Sequence, residues 1–194
     1  LISSDLQNLY LKQLLWYLLG FSIAYLLMTV GNKFLYNNAY IFYIIGVILL
    51  VLVLFFGKEI NNARCWFVIP FLGSFQPSEF MKIFLIIILS RMIKDFNDER
   101  KSNDIGDEFK FLLKVLVVVG IPSILTFIEP DTGAVLIYFV ITIVMLFAGG
   151  FRARWFIITI LTLLVIGTFF LGIYFLNQDL FINIFGTSFF YRMD

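Results

Sequence analysis

The sequence predicts an all-α integral membrane protein, built as a polytopic helical bundle. Of its 194 residues, 61% are apolar and only 14% are charged, whereas soluble domains are about 45–50% apolar and about 25% charged. The apolar residues are gathered into long runs, and none of these alternates apolar and polar positions as a membrane β-barrel strand does. These observations exclude a water-soluble globule and a disordered tail, and they favour helices over an outer-membrane barrel.

Each apolar run approaches the roughly 20 residues that a helix needs to cross a bilayer. The chain is therefore predicted to be a single transmembrane domain, 1–194, with helices at 13–30, 40–57, 78–93, 111–128, 134–149 and 155–176. Most Lys and Arg residues between the runs fall on one side if the first helix passes from outside to inside, which the positive-inside rule favours. This orientation predicts an outer loop at 57–76 and a charged cytoplasmic loop at 94–110.

Three compositional features exclude several kinds of chemistry. The chain has no His, so it has no His-ligated zinc site and no Ser-His-Asp triad. Its one cysteine, Cys65, excludes a disulfide framework and is interpreted as a small packing residue. The net charge of +1 gives no reason to expect nucleic acid as a partner. Acid–base chemistry in this chain would therefore fall to carboxylates, Lys or Tyr.

The stretch 74–82 carries charge where the third helix is predicted to begin. Pro77 suits the first turn of a helix, because the N–H that it lacks would have no helical partner there. Glu79 follows in the same turn, and Lys82 lies three residues further on, so both side chains share one face. Ionisable groups in a span usually face the bundle interior and mark a site. The alternative, left open by spacing alone, is an interfacial ion pair with Lys82 extended to the headgroups.

The stretch 129–133 places two carboxylates in a tight turn between two apolar runs. Asp131 or Thr132 is predicted to cap the next helix, and Gly120 and Pro122 are predicted to kink the preceding one. Polar groups at membrane depth beside bent helices are how membrane proteins build sites, although a capped interfacial turn would look the same. In the outer segment, Arg64 offers a planar guanidinium suited to a phosphate.

These stretches resemble the SEDS family (shape, elongation, division and sporulation), whose members include RodA, FtsW and SpoVE. The octapeptide FQPSEFMK at 75–82 strongly resembles the family signature. EPDTG at 129–133 is similar to the family's Gln-Pro-Asp-x-Gly turn, with Glu129 in place of Gln. RCW at 64–66 is similar to its Arg-Trp element, with Cys65 inserted.

The resemblance implies a fold of about ten transmembrane helices, of which this chain would cover the second to the seventh. Leu1–Ser4 is similar to the end of the family's first helix, and 177–194 to the start of its large outer loop. That loop carries the family's proposed catalytic Asp, which would lie beyond Asp194. The catalytic residue is therefore unknown from this sequence, and the chain is expected to be an incomplete part of the enzyme.

The resemblance implies a peptidoglycan glycosyltransferase that polymerises lipid II at the outer face of the bacterial cytoplasmic membrane, in elongation, division or sporulation. It also implies a class B penicillin-binding protein as partner, contact with membrane lipid, and a divalent cation such as Mg²⁺ as the one cofactor to consider. The substrate or cavity residues would be Arg64, Glu79, Lys82 and Asp131. The remaining motif residues would be Gln76, Pro77, Ser78, Pro130 and Gly133.

Two other functions stay open at this point. Charges within spans and discontinuous helices are typical of transporters, so a transporter or a flippase of the lipid-linked precursor is the main alternative. A flippase would need polar groups reachable from both sides, whereas the motif carboxylates are predicted on the outer side alone. A scaffold that only binds a cell-wall synthase is the third interpretation.

Overall fold

The computed structural model describes residues 4–60, 63–69, 73–99 and 105–176. Within those ranges the elements, in chain order, are α1 (Ser4–Val30), α2 (Asn32–Phe56), β1 (Lys58–Ile60), β2 (Ala63–Ile69), β3 (Gly73–Phe75), α3 (Pro77–Glu99), α4 (Ile105–Ile128), α5 (Thr132–Ala148) and α6 (Ala153–Leu176). The chain divides into two compact units, Leu1–Gly149 and Gly150–Asp194, and α6 belongs to the second. The helical fold predicted from the sequence is confirmed.

Three helices in the described part of the chain are long and apolar enough to cross a membrane. They are Gln13–Val30 within α1, Asn32–Phe56 and Ile105–Ile128. α5 and the Ala153–Phe169 part of α6 are apolar but shorter, and α3 carries charged residues at both of its ends. The large apolar side chains of α1 between Leu14 and Val30 are exposed in the structure, as expected of a surface that meets lipid or other protein.

Most of the segment 94–110 is helical, so the prediction of a loop there is wrong, whereas its cytoplasmic side stays a prediction. α3 continues to Glu99, and α4 begins at Ile105. Hydropathy finds only the apolar part of a helix, whereas the charged turns beyond it keep their backbone hydrogen bonds and add pairs such as Lys110–Asp107, 3.6 Å apart at i,i+3 spacing. The predicted outer segment 177–194 lies outside the described residues.

The outer segment predicted as a loop at 57–76 instead contains a small antiparallel sheet, in the order β1-β2-β3. Lys58 faces Trp66 across the first strand pair, and Phe67 faces Phe75 across the second. The sequence ARCWFVI of β2 is rich in β-branched and aromatic residues, which favour strands. Its partner strands have three residues each, too short for any periodicity to be read.

The packed core lies among α2, α3, α4 and α5. Its buried apolar side chains include Leu50, Val53, Met81, Leu85, Ile88, Leu89, Val115, Val119 and Ala134. α2 and α3 are in close contact at Gly46, where an added Cβ would stand 2.6 Å from Met81 Sδ and 2.7 Å from the Phe84 ring. The side chains of α3 therefore fill the space that a larger residue at position 46 would need.

α4 runs without interruption through Pro122. Proline has no N–H to donate to the carbonyl four residues earlier, which here belongs to Val118. Tyr43 of α2 supplies the missing donor, because its hydroxyl donates to Val118 O at 2.9 Å. The contact joins α2 to α4 and explains how the proline is accommodated inside an apolar bundle.

Candidate functional site

The octapeptide motif forms the start of α3. Pro77 is the first residue of the helix and is buried, Ser78 is fully buried, and the Glu79 amide donates to Gln76 O at 3.2 Å. Gln76 stands just before the helix with its side chain half-buried. The predicted placement of Pro77 in the first turn is confirmed.

Asp131 joins this helix start to the turn between α4 and α5. Its Oδ2 accepts hydrogen bonds from Gln76 Nε2 at 2.7 Å and Ser78 Oγ at 3.2 Å. Its Oδ1 accepts from the Ala134 amide at 3.1 Å, so Asp131, one of the two predicted candidates, is the N-cap of α5. Two motifs that lie more than 50 residues apart in sequence therefore meet in one hydrogen-bonded cluster.

A second layer of hydrogen bonds lies beneath that carboxylate. The Tyr138 hydroxyl donates to Ser78 O at 3.0 Å and stands 3.3 Å from Thr126 Oγ1. Because a tyrosine has one hydroxyl proton, Thr126 is the donor in the second contact. Both side chains are fully buried, so α3, α4 and α5 are held together at this point. Sequence reasoning missed Tyr138 and Thr126, whose only signal was a hydroxyl inside an apolar run.

Glu79 and Lys82 form an ion pair one turn along α3. Lys82 Nζ donates to Glu79 Oε1 at 2.6 Å, with the Lys82 side chain 18% exposed and the Glu79 side chain 55% exposed. The shared face predicted from their spacing is confirmed. No contact is recorded between this pair and Asp131 among the described residues, so Glu79, not Asp131, orients the Lys82 ammonium.

Arg64 and Cys65 lie on β2, beside the α2 terminus. Arg64 is exposed, and its Cγ would be 3.2 Å from a Cβ placed at Gly57. Cys65 is 3% exposed, and its burial, reinforced by the charge of Asp131, raises the pKa of the thiol. A buried thiol with a raised pKa is a poor nucleophile, which agrees with the packing role predicted for it.

Glu129 is the most unusual group at the site. It is 1% exposed, and neither carboxyl oxygen has a hydrogen-bond partner in the part of the chain that the structure describes. Burial first, and the neighbouring charge of Asp131 second, raise the pKa of the Glu129 carboxyl to about 8. The protonated, neutral form of Glu129 is therefore favoured at pH 7, and it can donate one proton and accept at the other oxygen.

The described residues do not form a metal site by themselves. They contain no group of three Asp, Glu or Cys side chains placed to share an ion. The carboxylate of Asp131 already accepts three hydrogen bonds, and that of Glu79 is paired with Lys82. The divalent cation stays a prediction.

Sequence comparisons with known proteins identify relatives that match most of this chain. Residues 2–185 match the family described as cell cycle protein, which takes in FtsW, RodA and SpoVE. The chain is 33% identical over 158 residues to a probable peptidoglycan glycosyltransferase FtsW of Hydrogenovibrio crunogenus, covering 80% of this chain and 39% of that protein. It is 33% identical over 156 residues to the peptidoglycan glycosyltransferase MrdB of Helicobacter pylori, covering 80% and 40%.

Comparisons of structure give the same answer. A chain from a peptidoglycan synthase complex that coordinates polymerization and crosslinking matches with a TM-score of 0.66 and 32% identity, over 82% of this chain and 44% of its own length. The rod shape determining protein RodA of Thermus thermophilus matches with a TM-score of 0.59 and 32% identity, over 80% and 49%. The chain thus spans less than half the length of these relatives. By sequence and by fold, it belongs to the FtsW/RodA/SpoVE family of polytopic membrane proteins, the SEDS family.

Proposed function

We propose that this chain is part of a peptidoglycan glycosyltransferase that polymerises lipid II at the outer face of the bacterial cytoplasmic membrane. Family membership and the names of the relatives support the activity. The observation that carries the proposal is that Asp131 binds Gln76 and Ser78, one turn from the Glu79–Lys82 pair. Two family motifs are thereby assembled at one end of the bundle, beside an ion pair whose Glu79 side chain is exposed.

The reaction transfers the glycan of one lipid-linked precursor to a hydroxyl of another. The acceptor oxygen forms a bond to the sugar carbon, the bond from that carbon to the diphosphate breaks, and undecaprenyl diphosphate leaves with the electron pair. A carboxylate base must take the acceptor proton, and cations must stabilise charge on the leaving diphosphate. Lys82 and Arg64 are the proposed cations of this chain.

Glu79 and Asp131 then have different proposed roles. Glu79 holds the Lys82 ammonium in position through their 2.6 Å contact, which fixes the cation before the substrate arrives. Asp131 is a poor candidate for the base, because three donors within the protein already occupy its oxygens. It acts instead as a positioning residue that locks α3 to the α4–α5 turn. The base would lie in the family's outer loop beyond Asp194.

Three further features complete the proposed site: an apolar surface for the lipid tail, a protein partner and a divalent cation. The polyprenyl tail of lipid II needs apolar protein surface, which exposed side chains of the helices offer. A class B penicillin-binding protein is the proposed partner, supported by the likeness to a chain from a synthase complex. A divalent cation such as Mg²⁺ would assist at the diphosphate, and no step above depends on it.

The test is polymerisation of labelled lipid II by the full-length protein, together with its penicillin-binding partner. We expect Glu79→Gln to lower the rate by up to about 100-fold, because a cation displaced by about 1 Å loses that much. The matched control is Asp107→Asn, which breaks an exposed Asp–Lys pair of the same spacing on α4 and should leave the rate unchanged.

Two results would contradict the proposal. An unchanged rate in Glu79→Gln would remove the pair from the site. Transfer of lipid II across proteoliposome membranes without any glycan product would replace the polymerase with the flippase.

A further inference from the structure

A second candidate site lies at the other end of α3. A cavity of about 730 Å³ opens between the start of α2 and the second half of α3, and its lining contains three cationic side chains: Lys33, Arg91 and Lys94. Arg91 is 12 residues beyond Glu79, which is about 18 Å along a helix. The cavity is therefore separate from the motif cluster, and it lies at the inner end of the bundle in the predicted orientation.

Arg91 is held rigidly at the cavity wall. Its Nη1 donates to Tyr36 O at 3.0 Å and to Asn37 O at 3.1 Å. Its guanidinium carbon lies 4.9 Å from the ring centre of Tyr36 and 4.7 Å from that of Tyr40. Since these contacts fix the guanidinium before any ligand binds, little side-chain entropy would be lost on binding.

The two lysines of the cavity, Lys33 and Lys94, are exposed, and neither forms an ion pair with a carboxylate in the described part of the chain. Lys94 Nζ stands 4.6 Å from the Tyr36 ring centre. Asp95 is outside the lining, and its carboxylate is engaged by the Tyr36 hydroxyl and by Arg91 Nε at 3.6 Å. Asp98 also lies near Tyr36, and the lining itself contains no acid.

The rest of the lining suits a lipid better than a soluble anion. Leu35, Ile86 and Ile87 supply apolar wall beside the cations, and Ile86 is 41% exposed. Basic pockets between helices at the inner membrane surface recognise anionic lipid headgroups, with about 1 kcal/mol per Lys or Arg. An acyl chain lying on the aliphatic wall would add apolar burial.

We propose that this cavity, lined by Lys33, Arg91 and Lys94, binds the phosphate of an anionic phospholipid. The two lysines contact the phosphate oxygens, Arg91 fixes the back of the site, and an acyl chain follows Ile86 and Ile87. The proposal is independent of the glycosyltransferase activity, because it concerns a different end of the bundle and different residues.

The test is native mass spectrometry of the purified full-length protein with phosphatidylglycerol, using phosphatidylcholine of the same acyl chains as the neutral comparison. Lys33→Gln and Lys94→Gln should each weaken phosphatidylglycerol binding about fivefold, and together about 30-fold. Arg91 is left intact because it also binds the α2 backbone. The matched control is Lys110→Gln, an exposed lysine 75% accessible to solvent on α4 and outside the cavity.

Four outcomes would overturn the proposal. An equal loss in Lys110→Gln would mean general attraction to a basic surface, and wild-type binding in the double variant would mean that the cavity is not the site. Equal retention of phosphatidylcholine would mean that charge is not recognised. Displacement of phosphatidylglycerol by millimolar inorganic phosphate would assign the cavity to a soluble anion instead of a lipid.

Discussion

Glu129 links the stability of this protein to pH. Its carboxyl is buried without a partner in the described part of the chain, and its pKa is raised to about 8 from its usual value of 4.5. Below that usual value, both folded and unfolded states carry the proton, so the ionisation of Glu129 does not change stability. As pH rises towards 8, only the unfolded state ionises, and stability falls by roughly 3–5 kcal/mol in total before levelling above pH 8.

We therefore expect Glu129→Gln to remove this pH dependence, because a Gln amide of the same shape cannot ionise. Melting temperatures of the full-length protein between pH 5 and pH 9 measure this effect. The melting temperature of the variant, relative to that of the wild type, should rise steadily up to pH 8 and then stay constant. Asp107→Asn, at a carboxyl 57% exposed, is the control and should follow the wild type. Parallel curves for Glu129→Gln and wild type would contradict the prediction.

Individual residues were predictable where local chemistry decides their role. The helix cap was predicted to be Asp131 or Thr132 from their place in the sequence, because capping involves only residues within one turn. The bonds of Asp131 to Gln76 and Ser78 depend on how two distant segments fold together, and so does the position of the Tyr138 hydroxyl between Ser78 and Thr126. A local sequence pattern cannot predict contacts between segments that are distant in the sequence.

The packing of α2 against α3 depends on the absence of a side chain at Gly46. A methyl group there would stand 2.6 Å from Met81 Sδ and 2.7 Å from Phe84, and Phe84 is itself stacked on Phe42 with ring centres 5.8 Å apart. We expect Gly46→Ala to cost about 1–3 kcal/mol, since overpacking forces helices apart. The melting temperature of the full-length variant measures the loss.

Gly120 provides the comparison for that prediction. It is also inside a helix, but a Cβ there would meet nothing within 4 Å. Gly120→Ala should leave stability unchanged or raise it by up to about 1 kcal/mol through helix propensity. Similar losses in both variants would mean that replacing a helical glycine, and not the α2–α3 contact, is what matters.

The helices were easier to predict than the strands, because an apolar run of about 20 residues is a strong local signal. The predicted first and last residues of the helices were less accurate. α2 begins at Asn32 and α3 extends to Glu99, because the polar turns at the helix ends remain helical without being apolar. β1 and β3 have three residues each and exist only through pairing with β2. Strand pairing depends on the whole fold, so the composition of a three-residue segment cannot predict it.

At the scale of the whole molecule, two candidate sites lie at opposite ends of α3. The motif cluster with Asp131 and the Glu79–Lys82 pair stands at one end, and the basic cavity of Arg91 and Lys94 stands at the other. The structure brings Lys33 of α2 to that same cavity, although 58 residues separate it from Arg91. This arrangement agrees with the inner placement of all three cations predicted from loop charge, while the direction of the bundle in the membrane stays a prediction.

Labelling of introduced cysteines would test that direction. Ser74 is exposed on β3 at the predicted outer end, and Asp107 is exposed at the start of α4 at the predicted inner end. Cys65 is the single cysteine of the 194 residues and is buried, so Cys65→Ala, with any cysteines elsewhere in the full-length protein replaced, gives a silent background. In intact cells with a permeable outer envelope, a membrane-impermeant maleimide should label Ser74→Cys, and it should label Asp107→Cys only after the cytoplasmic membrane is opened. The reverse labelling pattern would mean that the bundle has the opposite orientation in the membrane. The Asp131 cluster would then lie on the inner side, which would contradict the proposed polymerisation at the outer face.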